Sequence, residues 1–424
     1  MKVAFATLGC KVNQAESAAM EGLLRNSGIE IVHFEDQADY YIVNTCSVTG
    51  KSDYQSRQMV RRAARRGGRV IATGCYAELK QEELKKAVET VYIVKNLEKS
   101  NIVELIKTLA QNFDPIESLS DESGKSATFS YSSSRSRAFL KVQDGCDTYC
   151  GYCIVPLARG RSRSIPFTEA LEAVNYLASQ GYKEIVFTGI HIGRYGRDLE
   201  SKPTLFDLVN EASHNYPDIR IRLSSIESEE FDSDFVQMIK DERLCPHLHI
   251  PLQSGSDTVL KAMNRGTTAS NFRELVLTVT REIPNIAIGT DVIAGLPGES
   301  DNDFQITYEM LRTLPVSYIH VFPYSPRPGT AALRMKNQVP IEVRKKRAQL
   351  LCKLSENKRA AYIASFHDRV LDVIVEDTAD KHYFKGLSQN YLKVLVDGDR
   401  LEPRQRIKAR VVNSFGMYPV CVRV

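Results

Sequence analysis

The stretch Gly145-Cys146-Asp147-Thr148-Tyr149-Cys150-Gly151-Tyr152-Cys153 contains three cysteines in the spacing Cys-x3-Cys-x2-Cys. Three thiolates this close in sequence can converge on one metal centre, and thiolates are soft ligands that suit zinc or an iron–sulfur cluster. A closed structural zinc site needs four ligands, and no fourth Cys or His lies nearby in the sequence. The motif therefore favours a four-iron cluster with one iron left open over a zinc knuckle completed by a distant histidine.

Cysteine usage across the whole chain also points to metal chemistry. The 424 residues contain nine cysteines, an odd number, and the first residues offer too short an apolar core for an export signal. A disulfide framework is therefore not expected, whereas metal binding or catalysis is. The chain is 43% hydrophobic and 25% charged, as in soluble globular proteins, and no apolar run approaches the ~18 residues of a membrane span. We expect a cytoplasmic protein.

A second set of three cysteines occupies equivalent positions in the first part of the chain. Cys10, Cys46 and Cys75 each follow a strand-like apolar run, in the segments ATLGC, VNTC and IATGC. The carboxyl ends of parallel strands meet at one edge of a sheet, where α/β sheets bind ligands. Buried structural thiols would not explain three equivalent loop positions. The sequence therefore predicts a second three-cysteine site.

The predicted secondary structure divides the chain into an α/β region, a linker and a second α/β region. Apolar runs at 3–8, 40–43 and 70–73 alternate with amphipathic stretches at 16–26, 52–66 and 82–88, which predicts a parallel sheet. Residues 118–137 are rich in serine and predict a linker. Between 138 and 323, six apolar runs then alternate with helix-like segments. The runs predict strands at 139–142, 185–188, 219–223, 248–252, 286–293 and 318–322. Six β/α units are too few for a complete eightfold barrel and favour an open, partial one.

The last part of the chain changes character. A basic helix is predicted over 342–364, followed by strands at 369–375, 391–396 and 406–412 with turns at 397–399 and 413–416. About 60 residues of short strands are typical of a small β-barrel.

The Cys146, Cys150 and Cys153 motif after the first strand of six β/α units resembles the radical S-adenosylmethionine (radical SAM) superfamily. The resemblance implies that the open iron binds S-adenosylmethionine and that one electron from the cluster generates a 5′-deoxyadenosyl radical. It also implies that Tyr152 lies against the adenine. The segment VIAGLPGE at 292–299, with Gly295, Pro297 and Gly298, resembles the glycine-rich motif near the adenine and ribose.

Other parts of the cofactor pocket are less well marked. The second predicted strand of this region ends in Thr188-Gly189-Ile190, which departs from the Gly-Gly-Glu pattern common in the superfamily, although Gly189 is kept. Gln253, Ser254 and Asp291, at or near strand ends, are candidate pocket residues that could equally be structural.

The two cysteine triads together are similar to those of the methylthiotransferases within this superfamily. That family joins an N-terminal auxiliary-cluster domain, a radical SAM barrel and a C-terminal RNA-binding TRAM barrel, and the resemblance covers essentially the whole chain. It implies domains at 1–117, 138–364 and 365–424, two [4Fe-4S] clusters, and insertion of a methylthio group into an unactivated C–H bond. It further implies that all six cysteines are essential, and that an electron donor such as flavodoxin or ferredoxin is a partner.

Three branches of the family share this architecture, acting on isopentenyladenosine in tRNA, on an aspartate of a ribosomal protein, or on threonylcarbamoyladenosine at tRNA position 37. Leu8-Gly9-Cys10-Lys11-Val12-Asn13-Gln14 and Thr188-Gly189-Ile190-His191-Ile192-Gly193 resemble the third branch. That branch implies the tRNA anticodon loop as partner, and a carboxylate on the substrate that needs an Arg or Lys near the pocket.

Basic runs are candidate RNA-binding surfaces, although such runs are more often solvated faces. An aromatic and basic mixture in the predicted C-terminal barrel also suits single-stranded or looped RNA, unless its aromatic rings pack the core. The candidates are Arg57, Arg61, Arg62, Arg65 and Arg66; Arg159, Arg161 and Arg163; Arg344, Lys345, Lys346 and Arg347; and Phe384, Lys385, Tyr391 and Lys393.

Two other classes of protein fit parts of the sequence. A non-catalytic iron–sulfur electron carrier would explain the cysteines but would not need the glycine-rich VIAGLPGE segment. A zinc-containing RNA-binding protein would explain the basic runs. Cys245, in Cys-Pro-His-Leu-His, could join a Cys/His metal site but is more simply a packing thiol, and Cys352 and Cys421 are expected to have no role in the chemistry.

Overall fold

The computed structural model describes residues 1–111, 135–379, 382–398 and 400–424. The chain forms two compact units, Met1–Ser134 with Ile154–Gly160, and Arg135–Cys153 with Arg161–Val424. Most of the predicted linker, residues 118–134, lies outside the described residues. None of the helices in the described part is both long and apolar enough to cross a bilayer.

The first unit contains a five-stranded parallel sheet in the order β2-β1-β3-β4-β5. The strands are β1 (Lys2–Thr7), β2 (Glu30–Val32), β3 (Tyr40–Thr45), β4 (Arg69–Gly74) and β5 (Val91–Ile93). The helices are α1 (Lys11–Asn26), α2 (Gly50–Ala64), α3 (Cys75–Leu79), α4 (Gln81–Ala87), α5 (Ile102–Ala110) and α6 (Val155–Arg159), with a 3-10 turn at Asn96–Asn101.

Both faces of this sheet are covered, because alternate residues of the central strand join different cores. Tyr40 and Ile42 pack in one hydrophobic cluster, whereas Tyr41 and Val43 pack in the other. This is the side-chain alternation of a strand buried on both faces, and it explains the continuous apolar run of β3. The three predicted strands of this region are confirmed, but the short β2 and β5 were not predicted.

The second unit begins with six parallel strands arranged as two sheets, β10-β9-β6 and β11-β12-β13. Isolated parallel bridges, Ile221 to Leu244 and Ser225 to His249, connect them. The six strands are β6 (Ala138–Lys141), β9 (Glu184–Thr188), β10 (Arg220–Leu223), β11 (His247–His249), β12 (Ala287–Ala294) and β13 (Tyr318–Pro323); β7 (Gln143–Asp144) and β8 (Arg163–Ser164) form a separate antiparallel pair. The prediction of six strands in chain order is confirmed.

Helices separate the six strands and cover them. They are α7 (Phe167–Ser179), α8 (Leu205–Asn215), α9 (Asp234–Lys240), α10 (Asp257–Ala262), α11 (Ala269–Glu282), α12 (Asp301–Thr313) and α13 (Ala331–Arg334), with 3-10 turns at Ile192–Arg194 and Ser228–Glu230. The predicted strand over 248–252 is wrong at its carboxyl end, since β11 stops at His249. Pro251 has no N–H for a sheet ladder, and Gln253 has a φ of +71°.

A long helix, α14 (Ile341–Ala364), leads to a closed five-stranded barrel in the order β14-β15-β16-β18-β17. Its strands are β14 (Val370–Thr378), β15 (Tyr383–Ser388), β16 (Lys393–Asp397), β17 (Arg406–Phe415) and β18 (Tyr418–Arg423). The small-barrel prediction agrees with this arrangement, although β15 was missed. The predicted turn at 413–416 is wrong, because β17 continues through a bulge after Val411 and pairs Phe415 with Tyr418.

A buried ion network attaches this barrel to the parallel strands of the same unit. Glu184 on β9 accepts hydrogen bonds from Arg220 (2.6 Å) and Arg222 (2.8 Å) on β10. The two guanidinium groups also donate to the backbone oxygens of residues on β14 and β15 and the turn after it, namely Asp372, Leu387, Ser388 and Gln389.

Candidate functional site

Cys10, Cys46 and Cys75 each follow the carboxyl end of one of three adjacent strands, β1, β3 and β4. Cys10 is exposed, whereas Cys46 and Cys75 are buried. The predicted placement of this triad at one edge of the sheet is confirmed. Three thiols therefore face one region at the ligand-binding edge of an α/β sheet.

Asn13, in the first turn of α1, fastens two of the cysteine loops together. Its amide nitrogen donates to the backbone oxygen of Leu8 (2.8 Å), before Cys10, and of Thr45 (3.0 Å), before Cys46. Asn44 in turn donates to the backbone oxygen of Asn13 at 2.9 Å. These buried amides fix the relative positions of the two loops and explain an asparagine in the Lys11-Val12-Asn13-Gln14 motif.

Two glycines let the loops approach this closely. Gly9 has a φ of +95°, and a Cβ added there would lie 2.8 Å from the sulfur of Cys46. Gly74, directly before Cys75, has a φ of +90°, and a Cβ there would lie 2.3 Å from the backbone oxygen of Thr45. Both positions require glycine, because φ lies in the left-handed region and neighbouring atoms already occupy the space that a Cβ would need.

Arg159 supplies a buried positive charge beside the Cys10, Cys46 and Cys75 triad. It is 3% exposed, and it donates to Glu16 (2.8 Å) and to the side-chain oxygen of Asn13 (2.6 Å). Glu16 also forms a buried ion pair with Lys99. Burial raises the pKa of Cys75 to about 11 and also raises that of Cys46, while Arg159 opposes both shifts. The positive charge therefore favours the thiolate forms that a metal requires.

Cys146, Cys150 and Cys153 lie in a loop that follows β6 and β7, and each is partly exposed. Gln143 organises the start of this loop from within the core. Its amide nitrogen donates to the backbone oxygen of Gly145 (2.8 Å), and its oxygen accepts from the backbone N–H of His191 (2.8 Å). The loop is thereby joined to the segment that follows β9.

Two of these cysteines have cationic neighbours that are each held by a glutamate. The His191 Nδ1 lies 3.4 Å from the Cys146 sulfur, and its Nε2 lies 2.9 Å from Glu230. Arg265 donates to the Cys150 sulfur at 3.7 Å and pairs with Glu227 at 3.1 Å. Burial alone would lower the pKa of His191, but its contacts with Cys146 and Glu230 raise it to about 9.

The geometry of both triads fits iron–sulfur clusters better than single zinc ions. Three sulfurs on one zinc ion lie about 3.8 Å apart, because the Zn–S bond is about 2.3 Å. Among the described residues, the one trio of potential ligands whose atoms all lie within 4.8 Å of one another is His249, Asp291 and His320. Three wider-spaced thiols, with N–H donors directed at two sulfurs of the second triad, match the cysteine ligation of a cluster.

Tyr152 and the glycine-rich segment after β12 meet in one small apolar cluster. The ring of Tyr152 packs against a core that includes Leu296 and Met263. The loop is also held by the backbone, since Gly151 donates to Met263 at 2.8 Å and its oxygen accepts from Ala332 at 2.7 Å. The cysteine loop and the VIAGLPGE segment, far apart in sequence, therefore form one site.

Gly295 and Gly298 within this segment have φ values of +76° and +86°. The backbone N–H of Gly295 donates to Glu299 at 3.0 Å, and Glu299 pairs with Arg347. A Cβ at Gly295 would lie 2.4 Å from the Arg344 side chain, whereas none of the described atoms lies within 4 Å of one at Gly298. The segment thus turns sharply and leaves backbone accessible next to Tyr152.

Comparison with known proteins gives the same two-part organisation. The model of the Uncharacterized protein family UPF0004 matches residues 2–95, and that of the Radical SAM superfamily matches residues 140–311. Threonylcarbamoyladenosine tRNA methylthiotransferase MtaB of Aquifex aeolicus is 36% identical over 94% of this chain and 97% of its own length. The Bacillus subtilis enzyme of the same name is 36% identical over 97% of this chain and 94% of its own length. The chain belongs to the radical SAM methylthiotransferase family.

Another relative carries a different substrate in its name. The tRNA-2-methylthio-N(6)-dimethylallyladenosine synthase of Fervidobacterium nodosum is 33% identical over 91% of this methylthiotransferase and 90% of its own length. Among solved structures, the radical S-adenosylmethionine methyltransferase TsrM of Kitasatospora setae, with cobalamin and a [4Fe-4S] cluster bound, has a TM-score of 0.58 and 15% identity, covering 78% of this chain and 77% of its own. That similarity supports the α/β radical SAM fold.

The basic runs of the methylthiotransferase are less available for RNA than their sequences predict. Arg159 is buried within the first unit. Arg344 and Arg347, which both lie on α14, are also buried. Arg62 and Arg66 pair with Glu35, and Arg57 contacts Tyr76 and Glu83. The exposed cations that remain include Arg65, Arg161, Lys345, Lys346, Lys385 and Lys393. Of these runs, Arg159 and Arg347 each pair with a buried glutamate, Glu16 and Glu299.

Gly189 directly follows β9, Gln253 lies in the segment after β11, and Asp291 lies within β12 rather than at its end. A Cβ at Gly189 would lie 2.8 Å from Gln143, so this position serves the close approach of the cysteine loop. Gln253 donates its backbone N–H to the backbone oxygen of Asp291 at 2.8 Å. The Asp291 carboxylate lies 3.1 Å from His249 and 3.2 Å from His320. Burial alone would raise the pKa of Asp291, but the two imidazoles hold it well below its usual range.

Several residues of the site were not predicted from the sequence. No local sequence motif marks Gln143, Arg265, Glu227 or Glu230. Only their contacts in the folded structure identify them as part of the site. His191 belongs to the sequence segment Thr188-Gly189-Ile190-His191, but that segment alone does not predict that its imidazole contacts Cys146. Cys245 is 2% exposed, and burial raises its pKa to about 11; its neighbour His247 hydrogen-bonds Tyr318 at 2.8 Å. Cys245 therefore behaves as a packing thiol.

Proposed function

We propose that this methylthiotransferase adds a methylthio group to C2 of N6-threonylcarbamoyladenosine at position 37 of tRNA. The observation that carries the proposal is near-full-length identity of 33–36% to four relatives named for that reaction, together with the two cysteine triads at strand ends. An aromatic C–H of adenine is not acidic enough for general acid–base chemistry. When bound, the two [4Fe-4S] clusters and S-adenosylmethionine supply the radical, methyl and sulfur chemistry.

The protein's contribution is to hold these groups. Cys146, Cys150 and Cys153 ligate one cluster, next to which Tyr152, Gly189, Gln253, Gly295, Pro297 and Gly298 contact S-adenosylmethionine. Cys10, Cys46 and Cys75 would ligate the other cluster, and the positive charge of Arg159 favours the thiolate forms of Cys46 and Cys75. His191 and Arg265 donate hydrogen bonds toward two ligand sulfurs, which stabilises added negative charge on a cluster.

RNA binding is assigned to the C-terminal barrel, which we propose is a TRAM-like domain spanning residues 365–424. Lys385 is exposed on it, as a salt-sensitive phosphate contact requires. Position 37 lies in the anticodon loop, where a base can leave the stack at less cost than in a duplex. We further propose a cytoplasmic enzyme reduced by a flavodoxin or ferredoxin.

Mass spectrometry of tRNA nucleosides from a strain lacking the gene tests the substrate. The expected result is loss of the methylthio form of threonylcarbamoyladenosine alone, with its restoration by the wild-type gene and not by a Cys10→Ala copy. Loss of methylthio-isopentenyladenosine would instead assign the substrate of the Fervidobacterium relative. Loss of a ribosomal-protein modification would assign the aspartate branch.

A further inference from the structure

A cavity of about 320 Å³ lies where β13, α14 and the C-terminal barrel meet within the second unit. Its aromatic walls are Tyr318 and His320 on β13, Tyr391 before β16, and Tyr418 on β18. Its charged walls are Arg359 on α14 and Lys393 on β16. A volume of this size holds a small organic group of roughly ten to fifteen heavy atoms.

The charge of the cavity is one-sided. None of its lining residues is acidic, and among the described residues neither Arg359 nor Lys393 has a carboxylate within ion-pair distance. This differs from the pattern elsewhere in the chain, where Arg159, Arg220, Arg222 and Arg347 each pair with a buried acid. Two cations without protein counter-charges in one aromatic cavity suit an anionic ligand.

Asp291, an acid beside the cavity, is already engaged by two imidazoles. Asp291 accepts a hydrogen bond from Nδ1 of His320, and its carboxylate also contacts Nε2 of His249. The second ring nitrogen of His249 is held by the hydroxyl of Ser225 at 2.8 Å. His320 lines the cavity and Asp291 does not, so an anion there would meet the imidazole rather than the carboxylate.

The cavity lies along the strands that lead to the proposed cofactor site. His320 is the register partner of Asp291, and β12 runs from Asp291 to Ala294 and on to the Gly295 turn. Four residues of strand correspond to about 13 Å. That distance is comparable to the length of a nucleoside that bears an extended N6 arm. A base near Gly295 would therefore place its N6 arm close to His320.

We propose that this cavity binds the carboxylate of the threonyl arm of the substrate adenosine, and that Arg359 and Lys393 thereby select an acidic N6 substituent. The inference rests on the proposed function, whose substrate it would explain. An isopentenyl arm is smaller and apolar, and it would remove water from two unpaired cations without replacing their hydrogen bonds. The cavity therefore discriminates between the two adenosine substrates by charge.

The test uses the reconstituted holoenzyme and two anticodon stem-loops, one with threonylcarbamoyladenosine and one with its threonine methyl ester. The ester keeps the shape of the arm and removes its charge. Wild-type enzyme is expected to prefer the acid by about ten- to hundredfold in kcat/KM, the value of one or two charge-assisted hydrogen bonds. Arg359→Met combined with Lys393→Met should lower kcat/KM on the acid by that factor and leave the ester unchanged.

The control is Lys353→Met, an exposed lysine on the same helix that does not line the cavity, and it should behave as wild type. Arg359→Lys should retain most of the preference because it retains the charge. Equal use of acid and ester by the wild-type enzyme, or equal losses on both in the double variant, would overturn the inference while leaving the proposed function intact. Wild-type enzyme that modifies neither stem-loop would instead contradict the proposed function.

Discussion

Cys10 belongs to the cysteine triad of the first unit, and Cys146 belongs to the triad of the second unit. Because the triads are separate, a single substitution in either one tests the role of that triad alone. Cys146→Ala removes a proposed cluster ligand from the site that contains Tyr152 and the glycine-rich turn. We expect this variant to lose reductive cleavage of S-adenosylmethionine, because that site is the one next to the proposed cofactor pocket. Production of 5′-deoxyadenosine under dithionite, measured by chromatography, checks this.

Cys10→Ala should leave cleavage of S-adenosylmethionine largely intact and stop methylthio transfer. Both variants should retain about half of the wild-type iron, since one of two clusters is lost in each. Cys352→Ala is the control, because Cys352 is exposed on α14 and belongs to neither triad. Methylthio product from Cys10→Ala would make the first triad structural.

The junction between β4 and α3 decides whether the first triad can form, and it depends on one glycine. Gly74→Ala would place a methyl group 2.3 Å from the backbone oxygen of Thr45, at a φ of +90°. Thr45 cannot move freely, because its hydroxyl donates to Thr73 at 2.6 Å and accepts from Ala77 at 2.9 Å. We expect a loss of about 3 kcal/mol or more in unfolding free energy and loss of the first cluster.

Gly28→Ala is the matched control for that element. Gly28 also has a positive φ, +76°, but none of the described atoms lies within 4 Å of an added Cβ. Gly28→Ala should lower the unfolding free energy by only about 1–2 kcal/mol and leave the iron content at the wild-type level. Urea denaturation and iron analysis of the two variants measure the difference; equal effects would mean that backbone strain alone, and not the close packing of the strand ends, governs this junction.

At the scale of the whole second unit, the Glu184 network joins the parallel strands to the C-terminal barrel. Arg220 and Arg222 are 5% and 0% exposed, and both depend on Glu184 for charge neutralisation. Glu184→Gln would leave two buried guanidinium groups without their carboxylate. We expect a loss of about 3–5 kcal/mol in unfolding free energy at pH 7.

The same network makes stability depend on pH. Burial alone would raise the pKa of Glu184, but Arg220 and Arg222 hold it well below its usual range. A carboxyl whose pKa is depressed on folding contributes stability above its unfolded pKa, near 4.3, and that contribution is lost as the pH falls below this value. Denaturation between pH 7 and pH 3.5 should therefore show a steeper loss for wild type than for Glu184→Gln.

Glu282→Gln supplies the comparison, since Glu282 pairs with Lys240 at the surface, where solvent screens the pair, and its removal should alter the acid dependence far less than Glu184→Gln does. If Glu184→Gln retained the steep acid dependence, other carboxylates would be responsible for it. Because the barrel's own backbone oxygens complete the Arg220 and Arg222 contacts, deletion of the barrel would disturb the parallel strands as well. Surface variants such as Lys385→Glu are therefore the better probe of RNA binding.

The sequence by itself determined the elements and the metal chemistry of this protein. Hydrophobic periodicity predicts most strands and helices, because side-chain burial repeats along one strand or helix. The cysteine spacing and the shared offset of Cys10, Cys46 and Cys75 from their strands are likewise local features. The three-residue strands β2 and β5 and the two-residue strands β7 and β8 were missed because so few residues carry too little pattern.

Only the tertiary structure decided which charged side chains serve the site. Arg159 and Arg347 look like parts of RNA-binding runs, yet both are buried beside glutamates that lie 143 and 48 residues away in sequence. His191 and Arg265 reach the cluster cysteines across separations of 45 and 115 residues. A charge in sequence looks the same whether it faces water or a carboxylate, because burial and pairing depend on chain segments that meet only after folding.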